Sequence, residues 1–342
     1  MGFFRWFRLV CMLCIGGAVS LQAQDLHHSP FWMNPIAVNP AAAGFYNGEF
    51  RCGTYARNQW LSVTVPYMTT GIWADAPVWK RRVQQDVFSL GFSADLDQAG
   101  DAKYLTVQPN LYFSYAKGLN RRNNHFLSLG IVAGYAQKRL RPDEFMHDDQ
   151  YQEGQYRPGT ESQEQYASSS FGYTDVGAGL QWFYEMRTGV QYYAGLSAFH
   201  LNRPPQSLLK DPSITLPVRY NTLFQVKLPF DAYTYVQPSL YISRQDVYRE
   251  IMAGLLGAYA MQVFRNRQTV SMLAGIDYRL GDALYVVMGG EWKSVQLLVS
   301  YDFNVSSLSE ASHGRGGVEV NLQYIYKRPR MIRRHKLPCP IF

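Results

Sequence analysis

The sequence predicts an all-β protein, a transmembrane antiparallel β-barrel of about 14 strands preceded by a cleaved signal peptide. Three observations lead to this prediction: polar and apolar residues alternate, an export signal stands at the N-terminus, and aromatic residues and glycine are plentiful. Alternation of period two produces a strand with one polar and one apolar face. When it recurs along an exported chain, it is typical of an outer-membrane barrel. We therefore expect an integral protein of the bacterial outer membrane.

The alternation is clearest in the last two predicted strands, which are separated by a Ser- and Gly-rich break. The apolar positions are Val295, Leu297, Val299, Tyr301, Phe303, Val318, Val320, Leu322, Tyr324 and Tyr326. The polar positions are Ser294, Gln296, Ser300, Asp302, Asn304, Glu319, Asn321 and Gln323. In a barrel, we expect the apolar face to contact lipid and the polar face to line the lumen.

The first 23 residues have the features of an export signal. Arg5 and Arg8 form a positive region, Leu9–Val19 is a short apolar run, and Ala23 precedes the expected cut before Gln24. The apolar run is too short to span a bilayer, so we expect cleavage rather than a retained anchor.

The composition suits strands, tight turns and aromatic girdles. The chain has 25 Tyr, 19 Phe, 7 Trp and 28 Gly, and 47% of its residues are hydrophobic. No stretch after the signal reaches the roughly 18 apolar residues of a membrane helix. A soluble β-sandwich could share this composition but not strands of this length. Cys52 and Cys339 remain after cleavage, and we expect free thiols rather than a disulfide framework.

The net charge of +7 is concentrated at the carboxyl end. Two of the 33 Lys and Arg lie in the signal and six in the tail, which leaves 25 against 26 acidic residues in the body. The body has no basic face interleaved with aromatic residues, so we expect no nucleic-acid partner. The tail is either a contact for anionic headgroups or an acidic periplasmic partner, or a solvated end.

The chain divides into four predicted parts without a linker between two domains. These are a signal peptide (1–23), an N-terminal periplasmic segment (24–48), the outer-membrane barrel (49–326) and a basic periplasmic tail (327–342).

Fourteen strand-like runs recur along the barrel, and an even number is usual for single-chain bacterial barrels. We predict strands at 50–63, 69–77, 86–96, 103–117, 125–139, 171–187, 190–201, 218–228, 232–244, 248–262, 268–280, 283–292, 294–304 and 317–326. Several predicted inner faces contain glycine, as at Gly130, Gly134, Gly177 and Gly179. Such small residues leave room for an inserted segment or a channel, or relieve strand curvature, and we favour the second interpretation.

Two long connections are candidate outer loops. The stretch from Leu140 to Ser170 is polar, and we take it as the leading candidate for a recognition loop. Pro204–Pro217 is the second and contains four prolines that stiffen it. Outer loops of such barrels are usually longer than periplasmic turns.

Two Asn-Pro units lie ahead of the first strand, Asn34-Pro35 and Asn39-Pro40. Proline fixes its own φ and drives the preceding residue out of the α region, so both units favour turns. The segment is either a rigid element that plugs or braces the periplasmic mouth, or a turn-rich lead-in to the first strand.

Motifs at both ends of the chain point to one family. They are Pro30-Phe31-Trp32-Met33-Asn34-Pro35, Asn39-Pro40-Ala41-Ala42-Ala43-Gly44, Arg57-Asn58-Gln59-Trp60, Ala74-Asp75-Ala76-Pro77, Ser300-Tyr301-Asp302-Phe303-Asn304-Val305 and Gly314-Arg315-Gly316-Gly317 before Glu319. Taken together, they resemble the PorP/SprF family of type IX secretion system membrane proteins across nearly the whole mature chain. The chain departs from the family pattern in its basic tail and in Ala42, where the family often has an aromatic residue.

The resemblance implies a non-enzymatic outer-membrane component of type IX secretion. Its expected partners are periplasmic ring or peptidoglycan-linked components of that system, or a secreted surface adhesin, besides outer-membrane lipid. It implies support for export, surface anchoring of partner proteins and, in gliding cells, motility. The candidate partner-binding or structural residues are Asn34, Pro35, Asn39, Pro40, Gly44, Arg57, Asn58, Gln59 and Trp60.

The sequence carries no recognisable catalytic, cofactor or metal site. His27 and His28 are adjacent, but nothing at ligand spacing supports a metal site there. Glu144, His147, Asp148 and Asp149 could supply cation ligands, although a solvated loop explains them as well. No Ser, His and acid form a recognisable triad, and no phosphate-binding loop precedes a helix.

Two other functions stay open at this point. An outer-membrane porin or hydrophobic-substrate channel is the alternative, because the predicted inner face is polar and partly small. An outer-membrane hydrolase is a third, without a nucleophile motif to support it. The sequence distinguishes neither a core secretion component from a cargo-specific paralogue nor an open lumen from a plugged one.

Overall fold

The alternating segments form one closed antiparallel barrel in the computed structural model. The structure describes residues 29–59, 67–80, 86–100, 103–122, 124–141, 151–152, 155–156, 169–208, 211–264, 267–306 and 314–328. The strands are β1 (Phe50–Gln59), β2 (Tyr67–Lys80), β3 (Val87–Ala99), β4 (Tyr104–Gly118), β5 (His125–Arg139), β6 (Tyr151–Gln152), β7 (Gln155–Tyr156), β8 (Ser170–Glu185), β9 (Gln191–Phe199), β10 (Arg219–Pro229), β11 (Thr234–Gln245), β12 (Tyr248–Phe264), β13 (Arg267–Arg279), β14 (Ala283–Trp292), β15 (Val295–Asn304) and β16 (Arg315–Tyr326).

Fourteen of the described strands make the barrel, and β6 and β7 form a separate two-residue hairpin. Each barrel strand pairs with its neighbour in the chain, and β1 pairs with β16 to close the ring. The predicted fold class is therefore confirmed. Closure also leaves no strand edge exposed to lipid, as a spanning sheet requires.

The predicted faces of the strands are confirmed. On β5, Leu129 and Ile131 are each 57% exposed on the outer surface, whereas Ser128 is 1% exposed. Likewise, Val299 and Val320 face outward near the carboxyl end. Apolar side chains thus cover the outside, and polar ones point into the lumen.

β2 is longer than predicted because it continues through Pro77. Its pairing with β3 shifts register between Pro77 and Trp79. Proline cannot donate to the ladder and is tolerated at such a bulge, so the strand does not end there.

The two ends of the barrel differ in the length of their connections. The longest connections, from β5 to β8 and from β9 to β10, join strand ends opposite to the start of β1 and the end of β16. The end with the start of β1 and the end of β16 has short turns, such as residues 230–233 and 293–294. Since outer-membrane barrels have short periplasmic turns and longer extracellular loops, we assign the end with the start of β1 and the end of β16 to the periplasm.

Residues 29–44 lie inside the lumen, and we call them the plug. The plug contains a 3-10 turn (Phe31–Met33), the short helix α1 (Pro35–Val38) and a second 3-10 turn (Pro40–Ala42). Among the described residues, no helix is long and apolar enough to cross a membrane.

The buried core of the protein lies between the plug and the wall. One cluster joins Phe31, Met33 and Val38 to inward residues of β11–β15, and Phe31 stacks on Tyr241 with ring centroids 5.1 Å apart. A second cluster joins Ile36 and Ala43 to residues on the opposite wall, namely Tyr55, Trp73, Tyr112, Val132 and Phe199. Apolar burial therefore fastens the plug on both sides.

Candidate functional site

The two Asn-Pro units shape the plug locally. Pro35 begins α1 and Pro40 begins the second 3-10 turn, positions where a missing N–H costs nothing. The Asn39 side chain accepts a hydrogen bond from the backbone N–H of Ala41 at 2.9 Å. The same side chain donates to the carbonyl oxygen of Leu180 in β8 at 2.9 Å. Asn39 thus caps the turn and attaches it to the barrel wall.

Serines of the wall satisfy carbonyl groups of the plug. Ser128 Oγ donates to Ala41 O at 2.7 Å, Ser114 Oγ to Ala43 O at 2.6 Å, and Ser197 Oγ to Val38 O at 2.7 Å. A plug without long helices has many carbonyls outside regular structure, and burying them unpaired would be costly. The inward serines therefore stabilise the plug in one position.

Glycines on the inward faces of β5 and β8 leave room for the plug. A methyl group at Gly130 would overlap the backbone of Pro40 and Ala41, and one at Gly179 would overlap the Asn39 side chain. The preference for curvature relief was wrong at these two positions, because the plug backbone occupies the volume that a Cβ would need. Gly134 differs, since a methyl group there would meet Asn110 of the neighbouring strand.

A buried ion pair holds the periplasmic end of the plug. Arg51 donates through Nε and Nη2 to the two carboxylate oxygens of Asp75, at 2.9 and 2.8 Å. Asp75 also accepts the backbone N–H of Gly44 at 2.5 Å. Gly44 has φ +68°, a left-handed conformation that glycine adopts without steric cost. The plug therefore ends at a charge-assisted, two-pronged contact.

Tyr46 covers this ion pair. Its hydroxyl donates to the backbone oxygen of Asp75 at 2.7 Å, and the Arg51 guanidinium lies 4.4 Å from its ring centroid. Burial, together with the nearby Asp75 carboxylate, raises the pKa of the Tyr46 hydroxyl above its usual value. Tyr46 thus keeps its proton and remains a hydrogen-bond donor.

A second charged group holds the other end of the plug. The Ser29 backbone N–H donates to Glu319 and its Oγ donates to Asp302, both at 3.0 Å. Arg57 Nη2 lies 3.0 Å from the same Asp302 oxygen. These three wall residues lie near the outer ends of β1, β15 and β16. The described chain therefore runs through the lumen from the outer side at Ser29 to the periplasmic rim at β1.

Two cavities lie on the two sides of the plug, and no described residue lines both. The outer cavity is lined by Asn110, Asp175, His200 and Arg219, with His200 Nδ1 2.9 Å from Asp175 Oδ1. The cavity on the periplasmic side has a volume of about 350 Å³. We call it the vestibule.

The structure brings part of the predicted site together. Asn34, Pro35, Asn39, Pro40 and Gly44 all lie in the plug, with both Asn residues buried. The two side-chain polar atoms of Asn34 have no hydrogen-bond partner among the described residues.

The residues of the predicted motif that begins at Arg57 have different surroundings in the structure. Arg57 reaches the group that holds Ser29, whereas Asn58 and Gln59 continue β1 beside β16. Trp60 lies outside the described residues, as do the predicted signal, His27-His28, the acidic cluster of residues 144–149 and most of the tail. The proposed division of the chain into four parts stays a prediction.

The functional candidates also include residues that the site prediction omitted. These are Ser29, Arg51, Asp75, Ser114, Ser128, Ser197, Asp302 and Glu319. The sequence contains a signal that could have identified the charged residues among them. A charged residue at an inward position of an alternating strand needs a partner in the lumen. Among the described residues, no group of three or more potential ligands could hold a metal ion.

The fold and the occupied lumen define this protein as an outer-membrane β-barrel with an internal N-terminal plug. The family model described as type IX secretion system membrane protein PorP/SprF matches residues 20–324. The chain belongs to this family, and the resemblance drawn from its motifs is confirmed. It is therefore a membrane component of type IX secretion, located in the outer membrane.

Solved structures support the barrel fold. The Pseudomonas putida toluene transporter TodX has a TM-score of 0.52 at 10% identity, covering 88% of this chain and 94% of that chain. The Ralstonia pickettii toluene transporter TbuX has a TM-score of 0.51 at 11% identity, covering 85% and 93%. At such identities the similarity shows the fold alone. No curated protein matches the chain.

Proposed function

We propose that this protein is a plugged, non-enzymatic anchor of the type IX secretion machinery. It binds partner proteins at the outer membrane and supports their export and surface attachment, and in gliding cells it supports motility. The observation that carries the proposal is the plug, whose hydrogen bonds reach β1, β2, β4, β5, β8, β9, β10, β15 and β16. A barrel filled in this way suits binding better than free passage of solutes.

Membership in the family implies other secretion components as partners. We expect periplasmic ring or peptidoglycan-linked proteins if the chain is a core component, and a single large surface adhesin if it serves one cargo. The short periplasmic turns and the vestibule offer surfaces for the first kind of partner, and the long outer connections offer surfaces for the second.

An affinity pull-down tests this proposal. The tagged full-length protein is recovered from detergent-solubilised outer membranes of its own organism, and bound proteins are identified by mass spectrometry. Recovery of secretion-ring components marks a core part, and one dominant surface protein marks a cargo partner. A tagged unrelated barrel of the same membrane is the control, and a partner list identical to that of this control would contradict the proposal.

The alternative function, a porin or hydrophobic-substrate channel, requires a different state of the lumen. It needs a continuous path between the outer cavity and the vestibule, and therefore a plug that moves. The conductance of the full-length protein in a planar bilayer separates the two functions.

A further inference from the structure

The vestibule has the chemistry of a binding site. Amide side chains line it on several strands, including Gln181, Gln225, Gln237, Gln296 and Gln323. Each amide offers both donors and an acceptor, the two groups that a polypeptide backbone presents in alternation. Its volume of about 350 Å³ falls within the range typical of ligand pockets.

One of these amides is unsatisfied. Gln225 is only 8% exposed, and its Nε2 has no hydrogen-bond partner among the described residues. A buried N–H donor without an acceptor is energetically unfavourable, and a bound acceptor would remove that penalty. Gln225 therefore leaves an unpaired donor in the wall of the vestibule.

Two cationic side chains line the vestibule. Its described lining residues include Arg51 and Lys227 but no carboxylate. Arg51 is paired with Asp75, whereas Lys227 Nζ lies over the ring of Tyr235, 3.8 Å from its centroid. Glu291 and Glu185 act on Lys227 electrostatically but form no ion pair with it in the described part of the chain. Lys227 is thus available for an anionic group of a ligand.

Aromatic and aliphatic side chains alternate with these polar groups. Along β10 and β11, Gln225 neighbours Leu223 and Gln237 neighbours Tyr235 on the same inward face, and Trp32 of the plug lies opposite. Tyr and Trp supply contact area at a small entropic cost. The polar and apolar side chains therefore recur at the spacing of alternate residues in an extended chain.

We infer that the vestibule binds an extended polypeptide segment that carries at least one acidic side chain and enters from the periplasm. The acidic side chain pairs with Lys227, and a backbone or side-chain oxygen accepts the N–H of Gln225. This inference rests on the proposed function, because it assumes that a partner protein supplies the segment.

Photo-crosslinking in living cells tests the inference. A photoreactive amino acid replaces Gln237 in the full-length protein, and the adducts are mapped to the residue by mass spectrometry. We expect an adduct with an extended, acid-containing segment of a partner protein. The same label at Gln108, which lines the outer cavity, is the positional control and should give no such adduct.

Substitution of Lys227 is the second part of the test. Lys227→Met should reduce the yield of the adduct about tenfold, because a charge-assisted contact is lost, and Lys227→Arg should preserve it. Lys293→Met, which removes an exposed lysine from a turn at the same end, is the matched control and should have no effect.

Several results would overturn the inference. They are an adduct with a glycan or lipid, an adduct with residues 327–342 of this chain, no adduct at Gln237, and equal yields for Lys227→Met and wild type. If the pull-down still recovers secretion components in those cases, the proposed function stands and the vestibule is not the binding site. If both experiments fail, the proposed function fails as well.

Discussion

At the scale of single residues, two charged groups decide where the plug sits. Asp75 joins Arg51 to the backbone of Gly44, while Asp302 and Glu319 hold Ser29. All four wall side chains are almost fully buried. A buried ion pair is weak support for net stability, but removing one partner is strongly destabilising because the other charge stays buried. These contacts therefore determine position more than total stability.

Asp75→Ala should destabilise the protein by about 3–5 kcal/mol, because it leaves the Arg51 guanidinium buried without its carboxylate. The free energy of unfolding in urea, followed by tryptophan fluorescence in lipid vesicles, measures the change. The double variant Arg51→Met, Asp75→Leu should recover part of the loss, since no unpaired charge remains.

Asp211→Ala is the control for this prediction. Asp211 is exposed in an outer connection, and its carboxylate accepts hydrogen bonds from Ser213 of the same loop. Its removal should change the unfolding free energy by less than about 0.5 kcal/mol. An unchanged stability for Asp75→Ala would show that the ion pair does not form as described.

At the scale of elements, the plug and the wall are complementary in shape. β5 and β8 carry glycine where the second 3-10 turn of the plug passes, and serine where its carbonyls need donors. Alternation along these strands indicated which side chains point inward. It could not indicate that an inward glycine receives a plug, because the same glycine is compatible with strand curvature. That distinction required the position of a segment about 90 residues away in the chain.

Gly130→Ala should displace the plug or destabilise the barrel by about 1–3 kcal/mol, because the methyl group overlaps the backbone of Pro40 and Ala41. Limited proteolysis of the plug and the unfolding free energy measure the two outcomes. Gly257→Ala in β12 is the matched control, since its nearest neighbour, Ala274 O, would lie 3.6 Å from the new methyl group. Identical behaviour of the two variants would contradict close packing at Gly130.

At the scale of the whole molecule, the plug divides the lumen into an outer cavity and a periplasmic vestibule. The division follows from the direction of the chain, which runs from Ser29 near the outer ends of β15 and β16 to the start of β1. The barrel therefore presents separate binding surfaces to the two sides of the membrane. This arrangement agrees with an anchor that contacts partners on either side.

The full-length protein in a planar bilayer should show no stable open conductance, because the plug contacts the wall all around the lumen. Removal of residues 30–43 should produce stable open channels, provided that the shortened protein still shows the heat-dependent gel migration of a folded barrel. Stable conductance of the full-length protein would favour the porin or channel alternative and count against a closed plug.

The sequence by itself determined the barrel, the number of its strands, the outward and inward faces and the family. These properties depend on local alternation and on motifs, which a strand carries wherever its neighbours lie. Only the tertiary structure decided that the Asn-Pro segment fills the lumen and that Ser29 meets Glu319, 290 residues away. Closing the barrel brings the first and last strands together, and the partners across a lumen depend on the register of every strand between them. No local pattern contains that information.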